Sequence, residues 1–226
     1  MQDVLEEIRD LLEDGINTVH SAESGTTTTN IKITAHGLSV GDFVYNSTRS
    51  QQRTVTAVVD VNNVTVETVT AQTTGDSITF LKIKKFYAGS VPNHALAINI
   101  LPVVMVYAKG TALVADRLTT NRDKYEYSIS VELVTSAYQQ IKEVGVEADN
   151  ILKAQKKCVL FMEERDSNQI PIARSILGVL RRNIRGTAYQ FSLPAEIEYR
   201  TENDSGTVYH RAILSMNAVS NYNSRS

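Results

Sequence analysis

The first residues in this chain with the types and spacing of a chemical site lie in "ITAHGLSVGDFVYN", residues 33 to 46, where His36-Gly37 and Gly41-Asp42 bracket a short loop. Such a loop could serve a phosphate or a metal ion. A phosphate cradle needs more glycines, usually a lysine, and a following helix whose N-terminus faces the anion; this stretch runs instead into "FVYN". The expectation is therefore architectural, with His36 a turn or loop residue and Leu38 and Val40 turned inward.

Nucleophile, base and metal-ligand patterns are equally sparse. His20, His36, His94 and His210 are scattered, none one helical turn from another or beside a cysteine, so no metal site is expected. Cys158 falls on an apolar stripe, which predicts a buried and inert thiol. Glu163-Glu164 end a helix, and Glu196 and Glu198 lie on the outer face of a strand, so solvated charge is the default for all four. No catalytic, cofactor or metal residue is assigned, and the chain is expected not to be an enzyme.

One basic concentration remains. "RRNIRG" carries Arg181, Arg182 and Arg185, with Arg174 just before it. A solvated loop, a contact with an acidic partner surface and a contact with a nucleic-acid backbone all stay open as readings. The segment also holds Ile176, Leu177, Val179, Leu180 and Ile184, which are too many apolar residues for a free loop. An inter-molecular contact is the expectation, with Ile176 and Leu177 in its dry centre and Arg174, Arg181, Arg182 and Arg185 at its rim.

These residues need elements to hold them. "MQDVLEEIRDLLEDGIN" places Val4, Ile8, Leu11 and Leu12 on one stripe of a helix that Gly15 stops. From Thr18 to Ser90 the texture is Thr- and Val-rich, with short runs such as "NIKIT", "RTVTAVVDV", "VTVETVT" and "SITFLKIKKF", which predicts an all-β module. Its clearest hairpin is expected to turn at Asn62-Asn63. Past the boundary "GSVPN", "LPVVMVYAKG" reads as a strand buried on both faces, "TALVADRLTTNR" as a loop or short turn structure, and "YEYSISVELVT" as a half-buried strand with Glu126, Ser128, Ser130 and Glu132 outward. "VEADNILKAQKKCVLFMEERD" puts Ala148, Ile151, Leu152, Gln155, Cys158, Val159 and Met162 at helical spacing. Residues 173–180 read either as a short helix or as an extended loop. "TAYQFSLPAEIEYRT" and "TVYHRAILSMNAV" form a long hairpin whose first strand is at an edge or broken at Pro194.

The sum is an α+β fold: a mainly antiparallel sheet with helices on one face, built from residues 1–17 and 91–226, with a β-barrel- or sandwich-like module inserted at 18–90. A formal net charge of -2 over 226 residues argues against wholesale wrapping of nucleic acid. The N-terminal stretch is too charged for a signal peptide or membrane span, and a single cysteine leaves no intrachain disulfide, which fits synthesis in a reducing compartment.

In order and spacing, the first helix, "ILPVVMVYAKG", the link "RLTTNRDK", the strand "YEYSISVELVT", the long helix and the final hairpin resemble the tail terminator, or tail completion, proteins of long-tailed bacteriophages. The resemblance covers roughly residues 1–16 and 96–220, without a diagnostic motif, and the inserted "TAHGLSVGDFV" module departs from the simplest members. It implies a virion protein of the tail or neck, assembled in the host cytoplasm as a ring, a hexamer, that caps the head-proximal end of the tail tube. It also implies docking onto the head connector or stopper protein, passage of DNA through the lumen, no cofactor and no membrane. Sheet edges, residues 109–123 and residues 167–185 would be its contact surfaces. Two alternatives are a head-tail connector or stopper on the portal side and a small-barrel nucleic-acid-binding protein.

Overall fold

A computed structural model describes residues 2–67, 72–92, 96, 100–114, 124–136, 147–184, 189–192, 196–204 and 207–220. The first helix, α1 (Gln2–Ile16), buries Val4, Leu5, Ile8, Leu12 and Ile16. Its stripe is the expected one, but Gly15 lies inside the last turn rather than beyond it. A Cβ there would sit 2.7 Å from Val179 Cγ2, so the missing side chain lets another helix approach.

Six short strands follow: β1 (Thr18–Ser21), β2 (Asn30–Lys32), β3 (Phe43–Asn46), β4 (Gln51–Val58), β5 (Asn63–Val66) and β6 (Ser77–Leu81). They pair antiparallel in the order β1-β6-β3-β4-β5-β2. The Glu23 N–H donates to Lys32 O at 2.8 Å, tying the end of β1 to β2, so the two margins of the path meet and the sheet curls into a small barrel. Alternation explains its core: Ile31, Val44, Val55, Val64, Val66, Ile78 and Phe80 point inward from short strands. At one end Asp76 is buried. Burial works against its ionisation, but hydrogen bonds from Asn46, Thr73 and Arg49 outweigh that and hold its carboxyl below the ordinary range.

The β4–β5 turn differs from expectation. Asn63 already belongs to β5, and Asp60 organises the turn, accepting from Asn62 N at 2.7 Å and from Asn63 Nδ2 at 2.9 Å. Carboxylate hydrogen bonds to the backbone two residues on replace the positive φ that the Asn pair seemed to promise.

The module also ends earlier than residue 90. "SITFLKIKKF" is not one strand: after β6 the chain leaves the barrel, and β7 (Lys85–Ala88) pairs parallel with β8 (Val103–Val114) in the second sheet. That sheet runs β10-β12-β9-β8-β7, with β9 at Lys124–Ser136, β10 at Tyr189–Ser192, β12 at Thr207–Ser220, and β11 (Ile197–Asp204) also on β12. Residues 111–114, expected in a loop or short turn structure, continue β8; the remainder of that stretch, 115–122, lies outside the described residues. The break near Pro194 is where one edge strand gives way to another: β10 ends at Ser192↔Asn217 and β11 begins at Ile197↔Leu214, so the edge side holds two more residues than β12.

The α+β architecture is as expected, with α1, α2 (Glu147–Glu163) and α3 (Ile176–Arg182) on one face. The register of α2 is shifted from the expected stripe. Ala154, Cys158, Phe161 and Met162 are buried, whereas Leu152 is 62% exposed and Gln155 is also exposed. The opposite face is not simply wet. Leu96, Leu101, Val103, Met105, Val134 and Tyr209 form a second cluster there, so Val103 to Val106 are buried on both faces as the apolar run implied. Ser130 and Glu132, expected in solvent, are buried at 0% and 6% exposure.

Where barrel and sheet domain join, Asn17 Nδ2 donates to Ile83 O at 2.9 Å and Ile83 N donates to Asn17 Oδ1 at 3.3 Å. Ile83 itself is fully buried in the sheet-domain core. Replacing residues 18–81 by a short Gly/Ser linker should therefore leave a cooperatively folding α+β domain, read by thermal unfolding. Extending the deletion to residue 90 should abolish cooperativity, because it removes β7 and Ile83; Ile83→Ala alone should cost about 2–5 kcal/mol.

Candidate functional site

The loop at residues 33–46 is a structural joint. His36 is 3% exposed; Leu38 N–H donates to its Nδ1 at 2.9 Å, and its Nε2 lies 2.8 Å from Asp60 O. Both ring nitrogens are thus used by backbone groups. Gly41, at φ 87, turns the chain so that Asp42 Oδ2 accepts from Ser39 N at 2.8 Å. The other carboxylate oxygen, Oδ1, accepts from Lys157 Nζ on α2 at 2.7 Å. Neighbouring contacts reinforce the joint: Lys84 Nζ sits 3.6 Å from the centroid of the Phe43 ring, and Lys82 reaches Glu164 at 3.4 Å. Burial pushes the Lys84 ammonium below its usual range.

Several of the other candidate titratable residues are also committed to structure. His20 stacks on Phe80 with centroids 4.2 Å apart, and its Nε2 lies 2.9 Å from Thr18 Oγ1. His94 lies outside the described residues. Glu163 and Glu164, expected to be solvated, are only half-exposed and paired. Glu163 accepts from Tyr199 OH at 2.6 Å and from Arg165, and these hydrogen bonds outweigh burial and lower its pKa. Glu196 and Glu198 are exposed, the latter paired with Arg200. Among the described residues no three His, Cys, Asp or Glu side chains converge as a metal site.

Cys158 and His210 line one cavity of ≈ 30 Å³ with Tyr199, Thr201 and Gln155, which is room for about one water. Burial pushes the Cys158 thiol up to about 12 and the His210 imidazole down. Both shifts move away from the thiolate–imidazolium pair that a cysteine nucleophile requires. His210 Nδ1 meets Thr201 Oγ1 at 3.1 Å.

A polar group that the sequence reading missed lies on the sheet face away from the helices. Arg211, 6% exposed, donates to Glu132 and, at 2.8 Å, to Glu202; Tyr107 OH donates to the second oxygen of Glu132 at 3.0 Å. Burial and the adjacent Glu132 push the Tyr107 hydroxyl up to about 12. Only register could have found the group, because Ile213↔Glu132 and Arg211↔Val134 bring residues 79 apart in sequence onto one face.

The arginine segment resolves into two parts. Ser175 caps α3, its side chain accepting from Gly178 N at 3.1 Å, so this stretch is the short helix rather than the loop. Ile176 and Leu177 are not in the centre of a surface patch. They are 0% and 3% exposed and pack with Val179 and Leu180 into the chain's own core, which is where the surplus of apolar residues goes. Arg181 and Arg182 are exposed on the last turn, where cations complement the helix carbonyls, and Ile184 is 40% exposed beside them. Arg174 is half-exposed, and Arg185 lies outside the described residues.

Cys158 should react slowly with a thiol reagent in the native protein and rapidly after denaturation; rapid native labelling would place the thiol at a surface. His210 is held neutral in the folded state, below the ordinary imidazole value of 6.5, and the unfolded chain protonates first as pH falls. Its contribution is full above pH 6.5 and is lost progressively below it. The unfolding free energy of His210→Gln should accordingly fall less steeply with acid than that of the parent, measured by urea titration across that range; equal slopes would refute the assignment.

Compared with known proteins, the chain matches no protein-family model and no curated sequence.

Proposed function

We propose that this is a virion structural protein of a long-tailed bacteriophage, forming a ring that caps the head-proximal end of the tail tube and docks it to the head connector. The order of elements motivates the reading, and one observation supports ring formation. The sheet has two different margins on opposite sides: β10 and β11 border β12, while on the far side β7 ends at Ala88 opposite Val106. Beyond that point the outer edge of β8 borders no strand among the described residues, and residues 109–112 are exposed. Open strand edges are templates for pairing with another chain. Two unlike margins on one chain make such a contact heterologous, and heterologous contacts form a ring where the rotation between copies closes and a filament where it does not.

Native mass spectrometry should give a closed oligomer, and particle imaging a ring. Capture with purified tail-tube protein should succeed; binding to the portal protein itself with no binding to tail-tube protein would favour a stopper. A chain that stays monomeric at high concentration would overturn the ring.

Arg181 and Arg182 are the exposed cations next to Ile184, and a rim position suits them. Replacing both by serine should leave the melting curve of the monomer unchanged and weaken assembly or docking about tenfold, the effect of losing roughly 1–2 kcal/mol at an arginine contact. Parent-like assembly of that variant at raised salt would leave them simply solvated.

A further inference from the structure

The β4–β5 turn of the barrel has the composition of a contact, not of a loop. Three of the four residues "VVDV", Val58, Val59 and Val61, are 41%, 63% and 66% exposed, and Val40 on the adjoining loop is 47% exposed. Turn tips ordinarily carry Gly, Asn, Asp or Ser. The one such residue here, Asp60, spends its carboxylate on Asn62 and Asn63. The loop that carries Val40 runs beside the strand that leads into this turn. His36 N and Nε2 bond to Val61 O and Asp60 O, and Gly41 N bonds to Val55 O, so the loop carrying Val40 is laced along β4 and its turn. Together the four valines expose roughly 300 Å² of apolar surface along β4, its turn and the adjoining loop, the size seen at functional patches. The lacing also fixes it, so little entropy is lost when it is covered.

The same chain carries a second apolar patch of a different kind. On α2, Leu152 (62% exposed) and Leu160 (37% exposed) stand eight residues apart on one side, with exposed Lys156 between them. Charge distinguishes the two patches. Within the knob, residues 58–61, Asp60 is the one charged residue, and its partners Asn62 and Asn63 are neutral, while Lys32 stands at the foot of the turn opposite Asn63. An apolar knob carrying one carboxylate, Asp60, and an apolar stripe carrying one exposed ammonium, Lys156, are complementary in both properties.

We propose that the valine knob of the barrel, Val40, Val58, Val59 and Val61, docks on the Leu152–Lys156–Leu160 stripe of a neighbouring copy of this chain. The contact is heterologous, so it uses each patch once per copy and passes from subunit to subunit. It assigns the inserted barrel a role as the arm that reaches the next protomer. The inference rests on the ring reading only in requiring that the chain self-associate.

The test uses the full chain and two variants, each checked for parent-like circular dichroism and melting: Val59→Asp/Val61→Asp, which spoils the knob, and Leu152→Glu, which spoils the stripe. Each alone should lose assembly by at least tenfold in concentration, seen by analytical ultracentrifugation. Mixed, they should form heterodimers, because the first retains a stripe and the second a knob. The milder Val59→Thr/Val61→Thr, which keeps shape and the β-branch, should lose less. If the parent assembles and both variants assemble like it, the docking proposal fails while the ring stands. If the knob variant fails and the stripe variant assembles normally, the stripe is not its partner and the proposal is overturned. A parent that never assembles removes the ring and this contact together.

Discussion

Everything in this fold turns on how a side-chain amide closes the neck of an insertion. The chain leaves α1 at Asn17, builds a complete barrel, and returns at Ile83; the Asn17 amide bonds both backbone groups of Ile83 as a strand neighbour would. Buried backbone groups must find partners, and a short neck has no ladder to supply them. With that clamp made, Ile83 can sit in the helix–sheet core and β7 can enter the second sheet beside β8. The first helix and the first strand of the sheet domain are thus brought together across the whole inserted barrel.

Charge fixes the barrel against the domain that holds it. Asp42 and Lys157 keep only 17% and 20% of their side chains exposed, so their attraction is less screened than that of a surface pair, whose typical worth is about 0.2–1 kcal/mol. Lys84 on Phe43 adds a cation over an aromatic face. These contacts are few and polar beside the separate apolar clusters on either side, so the joint orients the barrel without merging it into a common interior.

What the sequence disclosed, and what it hid, follows from the range of each interaction. Local periodicity was legible: α1, the strand around Tyr127 to Leu133, and the buried Cys158 all follow from three- and four-residue or two-residue spacing. Burial of Glu132 was not, because an alternating strand shows only that its two faces differ. That the second face is covered by Leu96, Leu101 and Tyr209 and paired by Arg211 is a matter of long-range register. The same limit explains Ile176 and Leu177. Their hydrophobicity demanded a dry partner, and sequence alone cannot distinguish one's own α1 from a neighbour's surface. "SITFLKIKKF" misled for a different reason, since one apolar-alternating run serves two sheets and the point where it changes allegiance, Ile83, looks like any other inward residue.

The barrel's closure has a last consequence, for inheritance rather than mechanics. The bond from Glu23 to Lys32 brings the barrel's margins together, and among the described residues no barrel strand pairs with a strand of the other sheet, so the two share hardly more than an amide clamp and a handful of charges. Substitutions inside one unit therefore leave the strand alignment of the other untouched. Such a cassette can drift, be exchanged or be lost as a block, while the helix-backed sheet keeps its own bookkeeping of partners and changes only at the rate its own contacts permit.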